Sequence, residues 1–96
     1  MSLFIVRHKH PAKVCPAGHP QFGPMLVKHV SQENASKYGI RIHGEAVIDG
    51  KHTLHLILEA PSSEKVQEFM APFSQMGTVE YWPASRCEAV VARKRC

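Results

Sequence analysis

A tight-turn pair, Asp49-Gly50, lies near the middle of the chain between two stretches rich in β-forming residues. Such a pair typically joins antiparallel strands, so residues 40–48 and 52–59 are predicted to form a β-hairpin. Strand and helix patterns lie on both sides of this hairpin. The hairpin therefore constrains the fold more than any other local feature, because every other element must pack around it.

Residues 2–10 read as a strand, and residues 24–39 read as a helix that begins at Pro24 and ends at Tyr38-Gly39. A second helix is predicted from an N-cap at Ser62 to Gly77, with Pro72 kinking it or ending it early. Residues 78–82 form a strand, and residues 87–92 continue it or form a final short strand. The resulting order, β-α-β-β-α-β, predicts a single α+β domain over residues 1–96, ferredoxin-like, with a four-stranded antiparallel sheet.

The hairpin register decides which side chains share a face, since a shift of one residue reverses both faces. A three-residue loop ending in Gly50 would pair Val47 with Lys51. This register separates apolar from polar residues better than a two-residue loop does. It places His43 beside His55 on a face that the helices leave open.

All seven histidines of the chain lie in its first 55 residues. His8 and His10 share one face of the first strand, because side chains alternate along a strand. If that face is the open one, four imidazoles line a single surface. The loop at residues 11–24, which holds six Pro or Gly residues, brings Cys15 and His19 to the end of the same strand.

Neutral imidazole is a common metal ligand, and a thiolate adds a soft donor. We therefore predict a transition metal ion, nickel, zinc or copper, as cofactor. His19 is expected to be an exposed loop residue and His52 to face solvent, while Cys87 and Cys96 are expected to be structural or terminal. The candidate ligands are His8, His10, Cys15, His29, His43 and His55.

Size, charge and cysteine content restrict the class of protein. A chain of 96 residues supports one small core, and a homodimer would bury more surface. Much of the formal net charge of +4 lies in Arg93, Lys94 and Arg95, which we interpret as a solvated end. Three cysteines and no secretory or membrane-spanning segment favour a cytoplasmic protein without a disulfide framework or membrane partner.

Three short stretches, at residues 26–30, 39–44 and 56–61, resemble the small nickel-binding, ferredoxin-like proteins, a family of unknown function. Those proteins have a helix histidine, a histidine in the second strand and an Ala-Pro pair before the second helix. The resemblance implies a dimeric α/β barrel that binds metal through histidines, with His29 and His43 as the matching positions. The segment holding His8, His10, Cys15 and His19 departs from that pattern.

The main prediction is a metal-binding protein for metal handling or sensing, and three alternatives stay open. The first is a dimeric α/β-barrel enzyme, an oxygenase or isomerase with a His-lined cavity, which an apolar pocket beside an open coordination position would favour. The second is RNA binding, which is disfavoured because the third strand has no aromatic residue for base stacking. The third is an interaction module with scattered histidines.

Overall fold

A computed structural model describes all residues 1–96. Two 3-10 turns, Ala12–Val14 and Pro16–Gly18, follow the first strand. The strands are β1 Ser2–Lys9, β2 Arg41–Ile48, β3 Thr53–Ala60 and β4 Thr78–Pro83, and the helices are α1 Phe22–His29, α2 Gln32–Ser36, α3 Ser63–Ser74 and α4 Cys87–Arg93.

The four strands form one sheet in the order β2-β3-β1-β4. Each neighbouring pair is antiparallel, and β1 lies between β3 and β4. The predicted α+β class and ferredoxin-like order are confirmed. None of the helices combines the length and apolar character needed to cross a membrane.

Two predicted elements differ from those observed. The helix predicted over residues 24–39 is divided into α1 and α2, because Ser31 is extended and its side chain accepts a hydrogen bond from the Asn34 amide. The strand predicted over residues 87–92 is wrong, since this segment is α4. Glu88 in its first turn and Arg93 in its last turn complement the helix dipole.

The predicted hairpin register is also wrong. Ile48 pairs with Thr53, so residues 49–52 form a four-residue loop, and a bulge lies between Ile42 and Gly44. His55 therefore lies opposite Ala46 rather than His43. Within this loop, Gly50 and His52 both adopt left-handed backbone angles, at φ +73° and +50°.

One face of the sheet is packed under α3, and the core lies there. Leu54, Leu56 and Leu58 are buried on this face. Phe4, Val6 and His8 of β1 lie on the same covered face, and the His8 ring packs edge-on against Phe73 of α3 at 5.1 Å between centroids. The condition under which four imidazoles would line one open surface is therefore not met.

The opposite face of the sheet is open to solvent. Ile5, Ile57 and Trp82 lie on it and are 40%, 45% and 43% exposed. Arg7 pairs with Glu80 and lies over the Trp82 ring, 5.4 Å from its centroid. This open face is the surface that a homodimer would cover, and the homodimer stays a prediction.

Candidate metal centre

Three side chains that could ligate a metal converge at one end of the sheet. They are His10, Cys15 and His52, and the ligand atom that each offers lies within 4.8 Å of the other two. All three side chains are half-buried. Two of them, His10 and Cys15, were predicted as ligands from the sequence.

The pairing of β1 with β3 brings His10 to His52. Lys9 and Thr53 are the last residue pair of this ladder, and His10 and His52 are the next residues outward. The His10 amide donates a hydrogen bond to the His52 carbonyl at 3.2 Å, and the two rings lie 5.2 Å apart between centroids. The backbone thus holds the main chains of His10 and His52 next to each other.

His52 holds an unusual backbone conformation. Its φ of +50° lies in the left-handed region, which is unfavourable for residues that carry a Cβ.

Cys15 is held by the loop that follows β1. It lies between the two 3-10 turns, and its amide donates to the Ala12 carbonyl at 3.2 Å. The next residue, Pro16, is buried and anchors the loop. Cys15 is a free, half-buried thiol. Its sulfur lies within 4.8 Å of a ring nitrogen of His10 and of His52.

The electrostatics of the site favour neutral imidazoles. Both ring nitrogens of His10 are buried and have no hydrogen-bond partner in the protein. Burial, and next the neighbouring His52, lower the pKa of His10. Burial and the adjacent His10 lower the pKa of His8, and the Phe73 backbone partly opposes this by raising it. Neutral imidazole is the form that binds a metal.

The donor set fits a tetrahedral transition metal ion. Bonds of about 2.0–2.3 Å place the ligand atoms of a zinc site about 3.3–3.8 Å apart. The ligand atoms observed here lie within 4.8 Å of one another, so they must move up to about 1 Å closer together to bind zinc. Half-buried side chains can make this movement by rotation. The unpartnered nitrogens of His10 would gain a partner in the process.

A cavity of about 380 Å³ adjoins this cluster. His10, Cys15 and His52 form part of its wall, and His8 contributes a fourth polar side chain. The remaining wall is mostly apolar and comes from α1, the hairpin and α3. Its apolar side chains include Leu26, Val27, Val30, Val47, Leu54 and Phe73.

Two of the other predicted ligands already have protein partners. His29 Nε2 lies 2.6 Å from the Phe69 carbonyl oxygen, and its Nδ1 lies 3.2 Å from the Asn34 side-chain nitrogen. His43 Nε2 lies 3.6 Å from a carboxylate oxygen of Glu59. The structure does not bring either residue into the cluster.

The remaining histidines are not part of the group of three. His55 is on the open face, opposite Arg7 on one side and Ala46 on the other. His8 is buried next to His10, with 5.3 Å between ring centroids, but lies outside the group of three. His19 Nδ1 accepts hydrogen bonds from the Gln21 and Phe22 amides at 3.1 Å, at the start of α1.

His52 was not among the predicted ligands and was expected to face solvent. That expectation followed from the pairing of β2 with β3 alone, without the pairing of β1 with β3. In the predicted ferredoxin-like order, β1 and β3 are antiparallel neighbours, so the end of β1 must lie beside the start of β3. That rule places His10 near His52 and could have identified the pair.

Comparison with known proteins identifies a family. The family model of DUF3303, a domain of unknown function, matches residues 24–94. This is most of the chain, which therefore belongs to that family. The matched region includes His52 and begins after His10 and Cys15. No curated protein matches the chain.

Proposed function

We propose that this member of the DUF3303 family binds one transition metal ion through His10, Cys15 and His52. The observation that carries the proposal is the convergence of one thiol and two imidazoles from three separate segments, with every ligand atom within 4.8 Å of the others. The buried, unpartnered nitrogens of His10 support it, since polar atoms in that position normally have a partner.

Zinc suits this donor set best. A thiolate with two imidazoles is a mixed soft and borderline set, which favours zinc or copper over nickel. Three protein ligands leave the fourth tetrahedral position free, as in catalytic rather than structural zinc sites. A cytoplasmic location would keep Cys15 reduced and able to bind the ion.

Titration of the metal-free protein with zinc tests the proposal. Cys15→Ser and His52→Gly should each weaken zinc binding by about 100-fold or more, because loss of even an outer-shell partner costs about 10–100-fold. Glycine is preferred at position 52 because it tolerates the left-handed backbone.

His55→Ala is the matched control, since it removes an imidazole from the open face. It should leave zinc affinity unchanged. Equal losses in His55→Ala and His52→Gly, or an unchanged affinity in Cys15→Ser, would contradict the assignment of the ligands.

A metal-dependent enzyme is the second candidate function. The specific observation in its favour is the apolar cavity beside the free coordination position. A storage or structural site would surround the ion with protein ligands. A metal open to an apolar cavity suits Lewis-acid chemistry on a bound organic molecule.

A further inference from the structure

The cavity beside the proposed metal site has room for a compact organic body. Its volume is about 380 Å³, and its wall is mostly apolar, with side chains from α1, the hairpin and α3. An apolar protein cavity on the order of 150 Å³ accommodates benzene, so this larger one can hold a fused two-ring system. Leucine, valine and phenylalanine side chains provide the contacts that such a body prefers.

Two carboxylates interrupt this apolar wall, Glu45 on β2 and Asp49 directly after it. In the pairing of β2 with β3, Glu45 lies opposite Leu56 and Val47 lies opposite Leu54. Directly opposite residues of antiparallel strands share a face, and both leucines are buried on the covered face. The Glu45 side chain therefore lies on the covered side of the sheet, where the cavity is, rather than on the open face.

The fixed charge of the cavity wall is negative. Glu45 and Asp49 form no ion pair within the protein, and no lysine or arginine lines the cavity. Burial, and next a neighbouring imidazole, lower the pKa of His8 and of His10, which favours the neutral form of both rings. This wall would repel a carboxylate or phosphate ligand, whereas a cation would gain the partner that the two carboxylates lack.

We infer that the cavity binds a small organic cation of the arylalkylamine class, with its rings against the apolar wall and its ammonium group beside Glu45 and Asp49. Both carboxylates are exposed to solvent, so the ammonium group keeps part of its hydration while the rings are desolvated. An inorganic cation would gain nothing from the apolar wall, and an uncharged ring system would gain nothing from the carboxylates. The inference does not depend on the proposed metal ion.

Three probes that share one ring system test the charge of the ligand on the metal-free protein. They are 1-naphthylmethylamine, which is a cation at neutral pH, the neutral 1-naphthalenemethanol and the anion 1-naphthoate. NMR shifts of the methyl groups of Leu26, Val27 and Leu54 report occupancy of the cavity. We expect the amine to bind about five-fold more tightly than the alcohol, the effect of one exposed ion pair, and the naphthoate to bind most weakly.

Salt and two double variants test whether the carboxylates cause this preference. Raising the ionic strength from about 10 mM to about 1 M shortens the Debye length from about 30 Å to about 3 Å, so the preference for the amine over the alcohol should disappear. Glu45→Gln with Asp49→Asn should also abolish it. The matched control, Glu59→Gln with Glu80→Gln, removes the same charge from the open face and should retain the preference.

Equal affinities for the amine and the alcohol at low salt would overturn the inference, as would a preference that survives in Glu45→Gln with Asp49→Asn. So would the absence of any shift of the cavity methyl groups with all three probes. The comparison of the probes in the unaltered protein needs neither a variant nor a metal ion. Its outcome therefore decides the ligand class whether or not the protein binds zinc.

Discussion

At the scale of single residues, His52 supplies the third ligand atom of the proposed metal site, beside those of His10 and Cys15. Its ligand atom lies within 4.8 Å of those of His10 and Cys15, and the turn holds its backbone at a φ of +50°. A local sequence pattern cannot reveal this, because a histidine after Asp49-Gly50 looks like an ordinary solvated turn residue. The conformation arises from the four-residue loop, whose length was mispredicted.

Substitutions at this residue give a prediction about stability. In the metal-free protein, His52→Gly should have a free energy of unfolding about 1 kcal/mol higher than His52→Ala, because alanine retains the Cβ that disfavours left-handed φ. Chemical denaturation measures the difference. Equal stability of the two variants would show that the turn does not hold position 52 in this conformation.

At the scale of secondary-structure elements, the local patterns predicted the strands, the hairpin and their order. They could not fix the hairpin register, which depends on two left-handed turn residues and on the bulge between Ile42 and Gly44. They also misassigned α4, whose adjacent valines Val90 and Val91 favour a strand although the surrounding residues favour a helix. The candidate ligands His10 and Cys15 were predictable because they are close in sequence, His10 directly after β1 and Cys15 in the loop that follows.

The end of β1 is fixed by a close contact with the turn before β4. A Cβ on Gly77 would lie 2.2 Å from the Lys9 carbonyl oxygen and 3.0 Å from the His10 Cα. Gly77→Ala should therefore displace this end of β1, lowering the free energy of unfolding by about 1–3 kcal/mol and weakening zinc binding. Denaturation and zinc titration measure the two effects.

Gly44→Ala is the control for this substitution. A Cβ at Gly44 meets no atom within 4 Å and its φ is not in the left-handed region, so stability and zinc affinity should stay close to those of the unaltered protein. Full zinc affinity in Gly77→Ala would contradict the role of this contact in positioning His10.

At the scale of the whole molecule, the open face of the sheet supports the predicted homodimer. Ile5, Ile57 and Trp82 form an apolar surface, and the neighbouring Arg7 and Glu80 carry opposite charges. A surface with both signs beside an apolar strip can be complementary to a second copy of itself. We therefore propose a second copy of this chain as the partner that covers the face.

Light scattering on the eluting protein should give twice the 10.7 kDa mass of one chain. Ile57→Glu should give the monomer mass, because it buries a charge in the contact. Ala71→Glu is the control, since Ala71 is exposed on α3, which packs on the opposite face of the sheet. A monomeric unaltered protein at concentrations near 100 μM, on the order of ordinary solution measurements, would contradict the dimer.

The metal content of protein purified without an affinity tag tests the central claim most directly. Elemental analysis, followed by zinc titration of the metal-free protein, should give one ion per chain in the unaltered protein, and Cys15→Ser should bind added zinc about 100-fold or more weakly. Protein that contains no metal and takes up no zinc, copper or nickel would contradict the claim. So would a zinc affinity that Cys15→Ser and His52→Gly leave unchanged.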